Sequence, residues 1–299
     1  MASIASRPPA VSPSAASTSV STSLAVPSVS TMPTSVNSTK DSDPPALRFT
    51  KTQVLFDTID HTRGDSLTVT NVSLINFTKI ERAREKQGRK FRFCDYDSNS
   101  QILIITLPTD LHKELHGRLY DEFIGQRGIR SATRLAQGHS GQSSKEGDSA
   151  GGPKPQQAAN GAWPTLVIEA GFSQSLGKLR LAMWRWFSLS NYEVKIVLLA
   201  KFNSTIILLE KWEEEAQVRP GATTTRHSLQ HLTPVLRQSI TITQNTTTDL
   251  TSYNVTSSAL VLSFRLLFLR DPGPGEGDFV FSVQELEEYA RDVWALTLV

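Results

Sequence analysis

The stretch Trp163-Pro164-Thr165-Leu166-Val167-Ile168-Glu169-Ala170-Gly171 constrains the fold more than any other part of the chain. Its apolar run shows no polar alternation, so it predicts a strand buried on both faces, as in sheets covered by helices on either side. Pro164 opens the strand and Gly171 breaks it. Ser173 or Ser175 then starts a helix through Phe187, and strands follow at 194–202 and 205–212, joined by a turn at Asn203-Ser204. Strand, helix, strand, strand predicts an α/β protein with a mixed sheet flanked by helices. A carboxylate at the end of such a strand is costly unless it is paired or bound to a metal, so Glu169 is the first residue to question.

The remainder of the chain fits around this unit. Residues 1–45 are almost all Ala, Ser, Thr, Val and Pro, too poor in large apolar side chains to offset chain entropy, and predict a disordered leader. Residues 46–299 read as a single α/β domain, with a Gly-, Ser-, Gln- and Pro-rich stretch at about 137–162 expected as a flexible internal loop. Aliphatic and β-branched runs predict strands at 67–77, 101–107, 129–135, 238–243 and 260–269. Helices are expected at 111–126, where Leu111, Leu115, Leu119 and Phe123 share one face, and at 283–294, where Ser282 and Glu285 have capping-box spacing.

Composition removes several classes. The one cysteine, Cys94, excludes an internal disulfide framework and a thiolate zinc site and fits a reducing compartment. No apolar run reaches the roughly 18 residues of a membrane span, and no secretory signal is evident. An intracellular protein, cytoplasmic or nuclear and without a membrane partner, is expected. The six Asn-x-Ser/Thr triplets are then chance matches. A net charge of +2 does not by itself announce nucleic-acid binding, but a local patch can. Residues 79–92 hold seven cations against Glu81 and Glu85, and Phe91, Phe93 and Tyr96 follow. Arg82, Arg84, Lys86, Arg89 and Lys90 are candidate phosphate contacts. The plainer reading is a solvated basic helix-turn before a strand.

Asp148 lies 21 residues before Glu169, within Lys145-Glu146-Gly147-Asp148-Ser149. Two carboxylates brought together suit Mg²⁺, with water in its remaining positions. The segment 145–212 resembles a set of uncharacterised fungal proteins carrying D-S, then W-P-T-L-V-x-E-x-G, then V-K-I-V-L. Their core is similar to the restriction-endonuclease-like PD-(D/E)XK superfamily. That resemblance implies a restriction-endonuclease-like core in which Asp148 and Glu169 hold Mg²⁺ and a lysine assists. This chain has Gly171 where the pattern wants the lysine, and Ala182 where relatives usually carry an acid. Lys178 on the following helix and Lys195, within Glu193-Val194-Lys195, are the candidate replacements, and a Glu169/Glu193/Lys195 set stays open. Active relatives often add an acid from the first helix, where Glu114 and Glu122 are available, although a solvated face explains both.

Two functions follow. One is a Mg²⁺-dependent phosphodiesterase or nuclease, in which the metal activates water and the lysine steadies developing charge. The other is a catalytically inactive module that uses the 163–212 surface to bind a protein or nucleic acid. His112 and His116 have the i, i+4 spacing of a zinc pair, but H-x-E-x-H supplies no third ligand in order, and polar-flank histidines are the plainer reading. Trp184 and Trp186 read as helix packing. Cys94 has no patterned base beside it.

Overall fold

A computed structural model describes residues 45–127, 129–131, 135–137, 144–153, 162–217, 231–245, 252–256 and 258–297. Residues 1–44, which carry the expected leader, lie outside that set. The first part of the chain runs β1 (Leu47–Arg48), α1 (Thr52–His61), β2 (Ser66–Thr70), α2 (Leu74–Lys86), β3 (Arg92–Asp97), β4 (Ile102–Thr106) and α3 (Asp110–Arg127). Next come β5 (Ile129–Ser131), β6 (Leu135–Gln137), β7 (Ser144–Glu146) and β8 (Ser149–Pro153). The expected strand–helix–strand–strand unit follows as β9 (Leu166–Gly171), α4 (Leu176–Leu189), β10 (Ile196–Phe202) and β11 (Ile206–Gln217). The chain continues through β12 (His231–Asn245), β13 (Ser252–Thr256), β14 (Leu260–Leu262), α5 (Phe264–Phe268), β15 (Phe279–Phe281) and α6 (Val283–Ala295).

The α/β class and the mixed, helix-flanked sheets hold. A six-stranded sheet has the order β1-β2-β4-β3-β7-β6, a larger, seven-stranded sheet the order β13-β12-β11-β10-β9-β8-β5, and β14 pairs with β15 in a two-stranded sheet. In the larger sheet β9 and β10 are parallel, connected through α4, and the pairings on either side of them are antiparallel. The faces of β9 divide the core. Leu166, Ile168 and Ala170 pack with Leu115, Leu119 and Phe123 of α3 and Val293 of α6. Val167 packs with Leu179, Met183 and Trp186 of α4. The six-stranded sheet buries Val69, Phe93 and Ile105 with Phe56 of α1 and Phe77 and Ile80 of α2.

Three expectations change. The strand expected over 67–77 stops at Thr70, because the Ser73 hydroxyl accepts from the Asn76 amide and caps α2, whose Phe77 and Ile80 face the core. The strand expected over 260–269 turns after Leu262. There the Asp278 carboxylate accepts from the Phe264 amide, and stacked Phe264 and Phe268 form one helical turn instead. The flexible loop expected at 137–162 contains β7 and β8; its parts at 138–143 and 154–161 lie outside the described residues. β8 is Ser-Ala-Gly-Gly-Pro, all buried. It carries no large apolar signal because α3 lies directly on it, with the Tyr120 hydroxyl donating to the Ala150 carbonyl at 2.6 Å. Helix α1 had no counterpart in the sequence reading. The capping box at Ser282 and Glu285 forms as its spacing predicts.

Candidate functional site

The register of the larger sheet brings Asp148 and Glu169 level. β8 and β9 are antiparallel with Ser149 opposite Ile168, so Asp148, one step earlier, meets Glu169 across the ladder. The Asp148 Oδ2 accepts from the Ala170 amide at 2.9 Å. Successive side chains of a strand point to opposite faces. Glu169, between Ile168 and Ala170 on the α3 side, therefore turns toward α4. Asp148 lies just before β8, where the pleat no longer sets its direction, and its carboxylate instead reaches His112 of α3, so each carboxylate has its own partners.

On the α4 face the Lys145 ammonium lies 3.1 Å from Glu169 Oε1 and 3.1 Å from the Cys94 carbonyl it donates to. The Trp186 indole N–H donates to the same Glu169 oxygen, and Lys145 also stands over the Trp186 ring, 5.1 Å from its centre. Gly147 permits this approach, since a Cβ there would meet Trp186 Cζ2 at 3.1 Å. Lys145 and Glu169 are 0% and 1% exposed, so this is a sealed ion pair. Burial pulls the Lys145 pKa down, but Cys94, Glu169 and Asp95 push it up further, and the ammonium stays charged. Burial raises the Glu169 pKa against the pull of Lys145. Burial also raises the Cys94 thiol, which removes it as a nucleophile at neutral pH.

On the α3 face His112 stands between two acids. Its Nδ1 is 3.0 Å from Asp65 Oδ2, and its Nε2 is 3.1 Å from Asp148 Oδ1. Asp65 is held in turn by the amides of Phe172 and Ser173 at 2.8 and 2.9 Å, which stitches the loop before β2 to the end of β9. Burial pulls the His112 pKa down, yet the Asp148 and Asp65 carboxylates raise it to about 10. Asp148 stays well below the usual carboxylate range: burial opposes this, and His112 and the Ala170 amide outweigh it. His116, one turn along α3, lies with its Nδ1 2.8 Å from the Ser149 hydroxyl, and burial lowers its pKa to about 4. Both histidines are buried, 1% and 6% exposed, which corrects the polar-flank reading. Arg92 closes the edge by donating to the Asp148 carbonyl.

The other candidates divide. Lys178 donates to the Thr68 hydroxyl of β2 at 3.0 Å, across the seam between the sheets. Lys195 is a correction. Leu199, not Lys195, pairs with Glu169, so Lys195 lies four residues away, about 13 Å along β10. Its ammonium pairs with Glu214 at 2.8 Å. Glu193 is exposed at the same end, so the Glu169/Glu193/Lys195 set does not assemble. Lys201 occupies the register position beside Gly171 but donates to the carbonyls of Phe172 and Gln174. Glu114 is raised by burial and by Asp292 of α6, away from Asp148. Ala182 packs in the α4 core, and so does Trp186, while Trp184 is 38% exposed.

The basic run is also split. Arg84 pairs with Glu146 at 2.9 Å and covers the Phe93 ring, and Arg89 pairs with Asp60. Lys79, Arg82, Lys86 and Lys90 are exposed, whereas Phe91, Phe93 and Tyr96 are core residues and cannot stack on bases. Sequence reasoning missed two residues of the site. Lys145 sits in the quoted motif but on a strand of the other sheet. Asp65 is 83 positions before Asp148 and carries no local signal. As the side chains stand, no group of three or more His, Cys, Asp and Glu among the described residues is closed around a metal position. No described helix is long and apolar enough to cross a membrane. Known protein families and curated proteins offer no match to this chain.

Proposed function

We propose that the chain is a non-catalytic interaction module built on a PD-(D/E)XK-like plan, in which the acids of the nuclease pattern hold the fold together. One observation carries the reading: Asp148, Glu169 and Lys145 are 3%, 1% and 0% exposed, and Glu169 is neutralised by a lysine of its own chain. A phosphodiester must touch the metal and the attacking water, and a buried charge already paired gives it no point of entry. The succession β8, β9, α4, β10, with Asp148 just before β8 level with Glu169 on β9, is what supports the superfamily plan.

The partner is a nucleic-acid backbone lying along the outer face of α2. Lys79, Arg82 and Lys86 recur at helical spacing on one exposed line, and Lys90 extends it. With no aromatic side chain exposed on that line, the contact is with phosphate and is tolerant of sequence. Labelled duplex and single-stranded oligonucleotides test both halves. We expect no cleavage with Mg²⁺ or Mn²⁺, and binding whose log K falls with log salt at a slope of roughly −2 to −4. The triple variant Lys79→Glu, Arg82→Glu, Lys86→Glu abolishes that binding. Retained binding in the triple variant sinks the partner assignment.

The Mg²⁺-dependent nuclease is the second reading. It is favoured by the level register of Asp148 and Glu169 and by Lys145, which then supplies the lysine missing at position 171. It requires the seam between the sheets to open. Cleavage that disappears in Glu169→Gln establishes it and removes the first reading.

A further inference from the structure

We propose a zinc-class metal site formed by His112 Nε2, His116 Nε2 and Asp148 Oδ1, between α3 and the start of β8. The three atoms belong to a short set of buried side-chain atoms without a hydrogen-bond partner. A buried polar atom left bare costs on the order of 1–3 kcal/mol, so three on facing side chains ask for a common occupant. The ion pair of His112 Nε2 with Asp148 Oδ1 at 3.1 Å relieves this only in part, because the two are not aligned as a hydrogen bond, and His116 Nε2 has no partner at all.

Geometry agrees for His112 with each of the other two. Two ligand atoms each about 2.0–2.1 Å from a tetrahedral ion stand about 3.3 Å apart, and His112 Nε2 and Asp148 Oδ1 are 3.1 Å apart. Two imidazoles sharing such an ion through Nε2 place their ring centres roughly 5 Å apart. The rings of His112 and His116 are 5.2 Å apart and steeply inclined.

The opposite ring nitrogens supply the second argument. A metal-bound histidine has its other nitrogen held by a carboxylate, carbonyl or hydroxyl, which fixes ring orientation. Asp65 does this for His112 Nδ1 and Ser149 for His116 Nδ1. Asp65 is itself anchored by two backbone amides, so the outer support is rigid. Two imidazoles and one carboxylate suit Zn²⁺ or Co²⁺ better than Mg²⁺, which prefers oxygen ligands. Arg92 also nears Asp148 Oδ1, at 3.8 Å, but its hydrogen bond goes to the Asp148 carbonyl and survives when the carboxylate turns to an ion. The ion would gather the three atoms and tie α3 to the start of β8. This site does not depend on whether the chain cleaves anything.

The test uses the tag-free full chain, stripped with a chelator and titrated with Co²⁺ while the d–d absorption is read. We expect one ion per chain with a tetrahedral spectrum, displaced by Zn²⁺. We also expect a rise in thermal midpoint of about 5–10 °C at hundredfold Zn²⁺ over Kd. His116→Gln should lose the spectrum while remaining folded by circular dichroism. Should that variant not fold, Ser149→Ala, which removes only the Nδ1 partner of His116, should weaken uptake at least about tenfold. An absent d–d band in the parent protein overturns the site. So does an unchanged band in His116→Gln, or undiminished affinity in Ser149→Ala.

Discussion

The two sides of the larger sheet receive one acid each, Glu169 from β9 and Asp148 from the residue before β8, and treat it differently. Toward α4, Glu169 is met by a lysine ammonium and an indole N–H, and the cluster is closed against water. Toward α3, Asp148 spends one oxygen on the Ala170 amide and sets the other against His112 Nε2 without a hydrogen bond, while His116 Nε2, one turn along, has no partner. A buried acid that is fully satisfied is part of the scaffold, whereas a set of unsatisfied buried atoms on neighbouring side chains marks a place for a ligand. Adjacency in the sheet is therefore a poor guide to shared chemistry.

The largest effect should come from the closed face. Lys145→Met leaves Glu169 buried without its cation and should cost about 3–5 kcal/mol in denaturant unfolding. Adding Glu169→Gln should recover part of the loss, because the isolated charge is removed. A loss below about 1 kcal/mol for Lys145→Met would mean the pair is solvated and the contrast between the faces is false. Next, Trp186→Phe removes one donor to Glu169 but keeps most of the ring, and we expect a loss of about 1–3 kcal/mol on the same measurement. Asp65→Asn acts on the open face. It keeps the side-chain shape but weakens the hold on His112, and should reduce Co²⁺ affinity about 10–100-fold with little change in the Glu169 cluster.

The smallest effect is a control on α6, remote from both acids. Ser282→Ala breaks a capping box and should cost about 1 kcal/mol at neutral pH. The Glu285 carboxyl accepts from the Ser282 amide and hydroxyl, which lowers its pKa. Its contribution is therefore complete above the ordinary glutamate pKa and is lost as pH falls through the lower folded value. Stability of the parent and of Glu285→Gln should converge only in acid, and convergence on raising the pH would contradict the assignment.

Much of the α/β plan was legible because it rests on local periodicity. The 163–171 run, the amphipathic face of α3 and the capping box at Ser282 each encode one element within a few residues. The errors fell where a single polar side chain decides between strand and helix, at Ser73 and at Asp278. β8 was illegible because small residues are buried there by a neighbouring helix, not by their own hydrophobicity. In the site, Asp148 and Glu169 were found because an acid after an apolar strand is anomalous in sequence. Lys145 and Asp65 were not, since their roles depend on the pairing of β3 with β7 and on the contact of the Asp65 loop with Ser173. The direction each acid faces was also hidden, because Asp148 lies just outside β8 and is turned by its contact with His112 of α3, which only the assembled fold sets.

Calorimetric titration of Zn²⁺ and Mg²⁺ into the parent, Asp148→Asn and Glu169→Gln tests the separation of the two faces most directly. The account expects Zn²⁺ binding in the parent, its loss in Asp148→Asn and its retention in Glu169→Gln, with no Mg²⁺ site in any of them. Mg²⁺ binding abolished equally by both substitutions would contradict it, because the two acids would then share one cation.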